Sequence, residues 1–273
     1  PIAVASLEAG KHVLCEKPFS TDSFLASELL GVARRSGLTC MIAHEFRFAS
    51  ARRRVKELIE DGYLGPLQMV VIRLLLGPRR SRRPPPYLAD RDIAGLGGGL
   101  LWGLGSHYID CLRHWFGEIQ SVTAEVYNDF PYRVLPGLDE AAFADADDGF
   151  AFTLHFANGG RATMVASTSA PFGSGATIEI YGRDGTLVTP QTGVNPAAHG
   201  TLLGAKIGEE GLKEIPIPER LEPFADTRDD RLMPFRLLVR EFVQGINEGR
   251  SPAPNFYDGL RCQQVLDAVR ESS

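Results

Sequence analysis

Residues 5–18 read ASLEAGKHVLCEKP. Residues 1–9 are the tail of a helix, Gly10 stops it, and residues 12–15 form a short buried strand that closes on Glu16, Lys17 and Pro18. This is half of a βαβ unit. Such units normally begin with a strand, a Gly-rich turn and a helix, and contacts from later strand ends follow that fingerprint. Here the later strand end comes first, and no G-x-G-x-x-G stretch precedes it.

Working outward, Ser20, Thr21 and Asp22 can cap a second helix, in which Leu25, Leu29 and Val32 recur at helical spacing until Gly37 ends it. A strand over residues 39–43 follows. It leads into His44, Glu45, Phe46, Arg47 and Phe48, polar and aromatic groups at the carboxyl edge of the sheet, where open α/β sheets bind ligands. After a helix over residues 51–60, which stops at Asp61 and Gly62, the texture changes. A long strand spans residues 67–76, and an arginine-rich loop carries Arg79, Arg80, Arg82, Arg83 and Pro84 to Pro86. Gly97, Gly98 and Gly99 open a helix that reaches Phe116. Residues 150–156 and 161–167 flank Asn158 and Gly159, which tolerate the positive φ of a hairpin turn. A second hairpin turns at Arg183 to Gly185, residues 190–220 read as loop, and two helices close the chain.

Alternating helix and strand giving way to successive strands predicts two parts. The expected fold is α/β plus α+β: a remnant of a Rossmann domain (1–48), followed by a larger domain (49–273) with a mostly antiparallel open sheet and flanking helices.

Composition excludes several classes. At 273 residues the chain can bury a core, and with 44% hydrophobic and 23% charged residues it is an ordinary soluble protein. The net charge of -5 argues against nucleic-acid binding, no apolar run is long enough for a membrane span, and Pro1, Ile2 and Ala3 do not carry the basic and apolar regions expected of a signal peptide. Cys15, Cys40, Cys111 and Cys262 lie far apart, so neither a zinc site nor a disulfide framework is indicated. A cytoplasmic location and no metal are expected.

Two residues stand out chemically. Lys17 lies between a strand end and a proline; partial burial beside a positive ring would ease loss of its proton. Pro18 moves the preceding residue out of the helical region and can adopt a cis bond. His107 sits in the glycine-dense stretch 97–110, and Asp110, three residues on, shares its helix face and could orient the imidazole. Read singly, each is more often structural than catalytic.

Together, these segments resemble the Gfo/Idh/MocA family of nicotinamide-dependent oxidoreductases. The resemblance spans essentially the whole chain and rests on residues 5–18, Phe46 to Phe48, residues 62–66 (GYLGP), residues 97–110 and residues 256–261 (FYDGLR). It implies NAD or NADP as cofactor, contacted by Glu16, Lys17 and Pro18. It implies hydride transfer to or from a secondary alcohol carbon of a small sugar or polyol, with Lys17 and His107 as catalytic groups and Lys17, Arg47 and His107 as substrate contacts. A homo-oligomer built through the sheet face is the family expectation for a complete member. Members usually carry aspartate four residues before the histidine, a position held here by Gly103. Without the phosphate-binding turn, the sequence reads as a member lacking its first βαβαβ half. Two other readings on the same scaffold stay open: an NAD-dependent glycosidase and a non-catalytic sugar-binding relative.

Overall fold

The computed structural model describes residues 2–77, 93–134, 141–191, 201–224, 229 and 231–273. The arginine-rich segment at positions 79–86 lies outside them. The chain opens with α1 (Ile2–Glu8), β1 (Val13–Cys15), α2 (Ser23–Ser36) and β2 (Cys40–Ile42). The two strands pair in parallel with Val13 beside Cys40 and Cys15 beside Ile42. Helix α2 starts where the Asp22 carboxylate accepts the Leu25 amide at 2.8 Å and ends on Gly37, whose φ of +66° is the left-handed conformation of a helix stop. The apolar face of this unit closes over Leu7, Val13, Ala26, Leu30, Cys40, Ile42 and Phe256. A Rossmann-type α/β unit therefore opens the chain.

A short 3-10 turn, Glu45–Phe48, leads into α3 (Ser50–Glu60) and β3 (Leu67–Leu75). A π-helical turn, Leu101–Gly105, then runs directly into α4 (Ser106–Phe116). The strands that follow are β4 (Ile119–Tyr127), β5 (Tyr132–Val134), β6 (Ala141–Phe143), β7 (Gly149–Phe156), β8 (Arg161–Ser167), β9 (Gly175–Gly182), β10 (Gly185–Gln191), β11 (Leu203–Lys206) and β12 (Lys213–Glu214). Helices α5 (Leu232–Glu248) and α6 (Phe256–Ser272) end the chain. Eight strands form one sheet in the order β12-β11-β10-β9-β3-β8-β7-β4, antiparallel except for the β3–β8 pair. The expected fold class, a Rossmann-type unit followed by a larger, mostly antiparallel sheet with flanking helices, is what the structure has.

Period-two alternation fixes the register. Phe150, Phe152 and Leu154 on β7, Ala162, Met164 and Ala166 on β8, and Val70, Ile72 and Leu74 on β3 all turn to one face. There they meet Ile109, Leu112 and Trp115 of α4 and Val265, Leu266 and Val269 of α6. Both expected hairpins form, at Asn158–Gly159 and at Arg183–Asp184. Residues 190–220 require correction: strand β10 runs on to Gln191, and β11 and β12 extend the sheet edge through Val188↔Leu203 and Leu203↔Glu214. Such two- and four-residue strands carry too few alternations to be read from sequence, and edge pairing creates them. Among the described residues no helix is long and apolar enough to cross a membrane.

Candidate functional site

The carboxyl ends of β1 and β2 meet the start of α4. Lys17 follows β1, and its Nζ donates to the Gly103 carbonyl at 2.6 Å, on the π-helical turn preceding α4. The Glu16 carboxylate accepts the Lys17 amide at 3.2 Å, and the Lys17–Pro18 bond is cis. π-Helical turns concentrate at functional sites, and this one places His107 at the second position of α4.

His107 is 2% exposed. Its imidazole stacks on the Phe46 ring with centroids 3.7 Å apart and planes 12° off parallel, and the His44 ring meets it edge-on at 5.6 Å. Nδ1 of each histidine is buried without a hydrogen-bond partner among the described residues. Burial is the first reason the His107 pKa falls well below its ordinary value; Lys17, His44 and Arg52 add to it. His44 is pushed down to about 4, first by burial, with Arg47 and Lys17 adding to the effect against the pull of Asp110. Both imidazoles are therefore uncharged at neutral pH.

The orientation of His107 by Asp110, expected from their spacing, is not what forms. Asp110 accepts from Arg47 instead, Nε to Oδ2 at 2.8 Å and Nη2 to Oδ1. Such a two-point fork is stronger than a single bond to an uncharged ring. Burial alone would raise the Asp110 carboxyl, but Arg47 and the nearby histidines hold it below its ordinary value. Arg47, read from the sequence as a substrate contact, is only 5% exposed with its fork on Asp110. Its part in the site is to clamp α4 to the strand ends. Nη1 also lies 3.5 Å from Nδ1 of His114, one further turn along the same helix face.

The glycine run serves this geometry. Gly99 has φ +107°, and a Cβ there would stand 2.0 Å from Oδ1 of Asp147, so only glycine fits. Asp147 caps the turn: its Oδ2 accepts the Leu101 amide at 2.8 Å and its carbonyl accepts the Leu100 amide at 3.1 Å. Burial pushes the Asp147 carboxyl up to about 6, against the pull of these amides and of Arg270. A raised carboxyl favours the folded state below the unfolded value near pH 4, and that contribution is lost as pH rises through about 6. Asp147→Asn keeps the amide acceptor without the charge. It should raise stability at pH 8 by about 2–3 kcal/mol relative to the parent, with the difference fading below pH 5, as read from paired urea midpoints. A constant difference across that range would refute this role for the charge.

Gly103 presents the opposite situation: a Cβ built there meets nothing within 4 Å. The space beside the Lys17–Gly103 contact would accept a side chain. Among the described residues no three metal-capable side chains gather at one place.

Sequence reading brought Lys17 and His107 forward, and the structure places them on facing sides of this junction. It set His44 and Phe46 at the ligand-binding edge of the sheet without giving His44 a role or Phe46 its part as the stacking ring, and it missed Arg52. The signal for His44 was available: the Cys15↔Ile42 register sets the residues after β2 beside those after β1.

The model of the oxidoreductase family with NAD-binding Rossmann fold matches residues 1–44, and the model of the GFO/IDH/MocA C-terminal domain matches residues 52–188. An uncharacterized oxidoreductase of Synechocystis sp. is 32% identical over 99% of this chain and 73% of its own length. Inositol 2-dehydrogenase of Rhizobium meliloti is 26% identical over 97% of this chain and 72% of its own. A solved levoglucosan dehydrogenase, in complex with NADH and levoglucosan, superposes with a TM-score of 0.83 at 27% identity, covering 99% of this chain and 74% of that one.

Proposed function

From a chain that belongs to the GFO/IDH/MocA family of oxidoreductases, we infer an enzyme that oxidises a secondary alcohol carbon of a sugar or polyol, with NAD or NADP as hydride acceptor. One observation carries the reading: Lys17 Nζ, at the end of the Rossmann-type strand, reaches the Gly103 carbonyl at 2.6 Å, four residues before His107. Two proton-handling groups from two parts of the fold thus border one junction. Relatives named as inositol and levoglucosan dehydrogenases support the substrate class.

The residues present fit the nicotinamide end of such a cofactor. Parallel strand ends form the edge where open α/β sheets take ligands, and Glu16, Lys17 and Pro18 stand on it. When bound, the cofactor supplies the hydride acceptor. Lys17 helps move the hydroxyl proton, and the uncharged His107, as its partner, accepts a hydrogen bond from that hydroxyl and orients it. Phe46 and the Arg47–Asp110 clamp hold that imidazole in place.

The test, like every turnover measurement below, is made on the chain joined to a Rossmann half that carries the G-x-G-x-x-G turn, and is net formation of NADH or NADPH with a panel of cyclic polyols and anhydrosugars. Reduced cofactor accumulating in step with ketone supports dehydrogenation; glycoside cleavage without net reduction would point to transient oxidation instead. Within this reading, Gly103→Asp places a carboxylate in the open space beside Lys17. It should raise kcat about tenfold, a fraction of a full acid–base contribution, while changing the cofactor KM little. An unchanged kcat would remove the argument for a missing acid.

A further inference from the structure

Arg52 is the third residue of α3 and is fully buried. Nη1 lies 3.6 Å from the Cys111 sulfur, whereas Nε and Nη2 have no hydrogen-bond partner among the described residues. None of the salt bridges among the described residues involves it. A cation in the first turn of a helix opposes the helix dipole, and a buried cation without a counter-ion is strongly unfavourable. Stability alone does not account for an arginine here. Its company is aromatic: the guanidinium carbon stands 5.0 Å from the Phe46 ring centroid and 5.2 Å from that of Tyr108. A planar, weakly hydrated guanidinium suits such a place better than an ammonium. Phe46 is also the ring on which His107 stacks.

We propose that Arg52 is a positioning residue for His107: its guanidinium over the Phe46 ring fixes the surface against which the imidazole stacks and opposes a second positive charge there. The inference rests on the reading of His107 as an uncharged partner of Lys17 at the reacting hydroxyl; burial is the first cause of its lowered pKa, and Arg52 adds to it after Lys17 and His44. Charged and titratable groups face the imidazole from three elements, Lys17 after β1, His44 after β2 and Arg52 on α3. His44 is faced in turn by Asp110, Arg47, Lys17 and Asp258. Lys17 is part of the ligand-facing junction, so its effect changes when substrate binds. Arg52 is sealed in the core, so its charge and its ring contact persist through the reaction cycle. The arrangement acts through Phe46 and the local field, without any contact between Arg52 and substrate.

The experiment is a histidine-resolved NMR pH titration of the whole chain, comparing the parent with Arg52→Met, Arg52→Lys and Phe46→Leu, and with His107→Gln used for assignment. Methionine is apolar and of similar length, and replacing a buried charge by such a side chain is commonly tolerated. In the parent, the His107 signals should stay those of a neutral ring, displaced by the ring current of Phe46, to the lowest pH at which the fold persists. In Arg52→Met part of that ring-current displacement should be lost as the Phe46 ring moves, and any ionisation of His107 that becomes visible should lie nearer its ordinary value than in the parent. Arg52→Lys retains charge but not the planar stack, so its ring-current displacement should shrink with little change in ionisation. Should Arg52→Met not fold, Arg52→Lys and Phe46→Leu carry the test through the ring-current signal. Unchanged His107 signals in folded Arg52 variants would overturn the proposal. Since nothing in the titration depends on turnover, a protein inactive on every polyol that still shows these shifts would lose the functional reading and keep this one.

Discussion

Lys17→Ala should lower kcat with a polyol substrate by about 10²- to 10⁴-fold, the span of one positioned acid–base group. The expectation comes from placement rather than residue type. The ammonium is tied at 2.6 Å to a carbonyl on the turn that leads into His107, so removing it deletes a proton-handling group and loosens the joint between the two parts of the site. The two effects separate kinetically. Loss of the chemical role lowers kcat with substrate KM nearly unchanged, whereas a loosened joint raises KM. Lys17→Met, which keeps most of the stem, should reproduce the fall in kcat with less change in KM. Retention of more than a tenth of parental kcat in both variants would show that Lys17 is not a catalytic group.

Breaking the Arg47–Asp110 pair should be the most costly single change to the fold. The partners are 5% and 0% exposed, and removing one member of a buried pair leaves the other charge uncompensated, which costs about 3–5 kcal/mol. Asp110→Ala should show that loss in urea unfolding. Arg47→Met combined with Asp110→Leu should recover most of it, since apolar replacement of both partners is often neutral. The clamp's functional role gives a second readout: the double variant, although stable, should turn over more slowly than the parent because α4 is no longer pinned beside the strand ends. A stable Asp110→Ala would contradict the pair's structural importance; a fully active double variant would contradict its positioning role.

Much of the architecture was legible because its signals are local. Gly10 and Gly37 as helix stops, Asn158–Gly159 as a turn, and alternation along residues 150–156 each depend on neighbours a few positions away. The same locality misled at Asp110. A carboxylate three residues from a histidine on one helix face reads as its partner, yet the winner is Arg47, 63 positions earlier, whose fork makes two bonds. The stack of His107 on Phe46 likewise joins segments about 60 residues apart, and the placing of Arg52 over that ring, six residues on, depends on the 3-10 turn between Glu45 and Phe48; no periodicity reports such contacts. The π-helical turn at Leu101–Gly105 was also beyond reach, since the Asp147 groups that cap its start arrive from just before β7, more than 40 residues on. Gly103 shows the complement: a family pattern flagged the position, and the structure supplied the physical fact that the space beside it is open.

The central claim is that the site built by this chain moves hydride from a secondary alcohol carbon to a nicotinamide while Lys17 and His107 handle the proton. It is tested most directly by following the label from a cyclic polyol carrying deuterium at its hydroxyl-bearing carbons. The account predicts reduced cofactor bearing one deuterium per ketone formed, and loss of that product in both Lys17→Ala and His107→Gln. Ketone or cleaved glycoside without deuterium in accumulated reduced cofactor, or undiminished label transfer in the two variants, would contradict it.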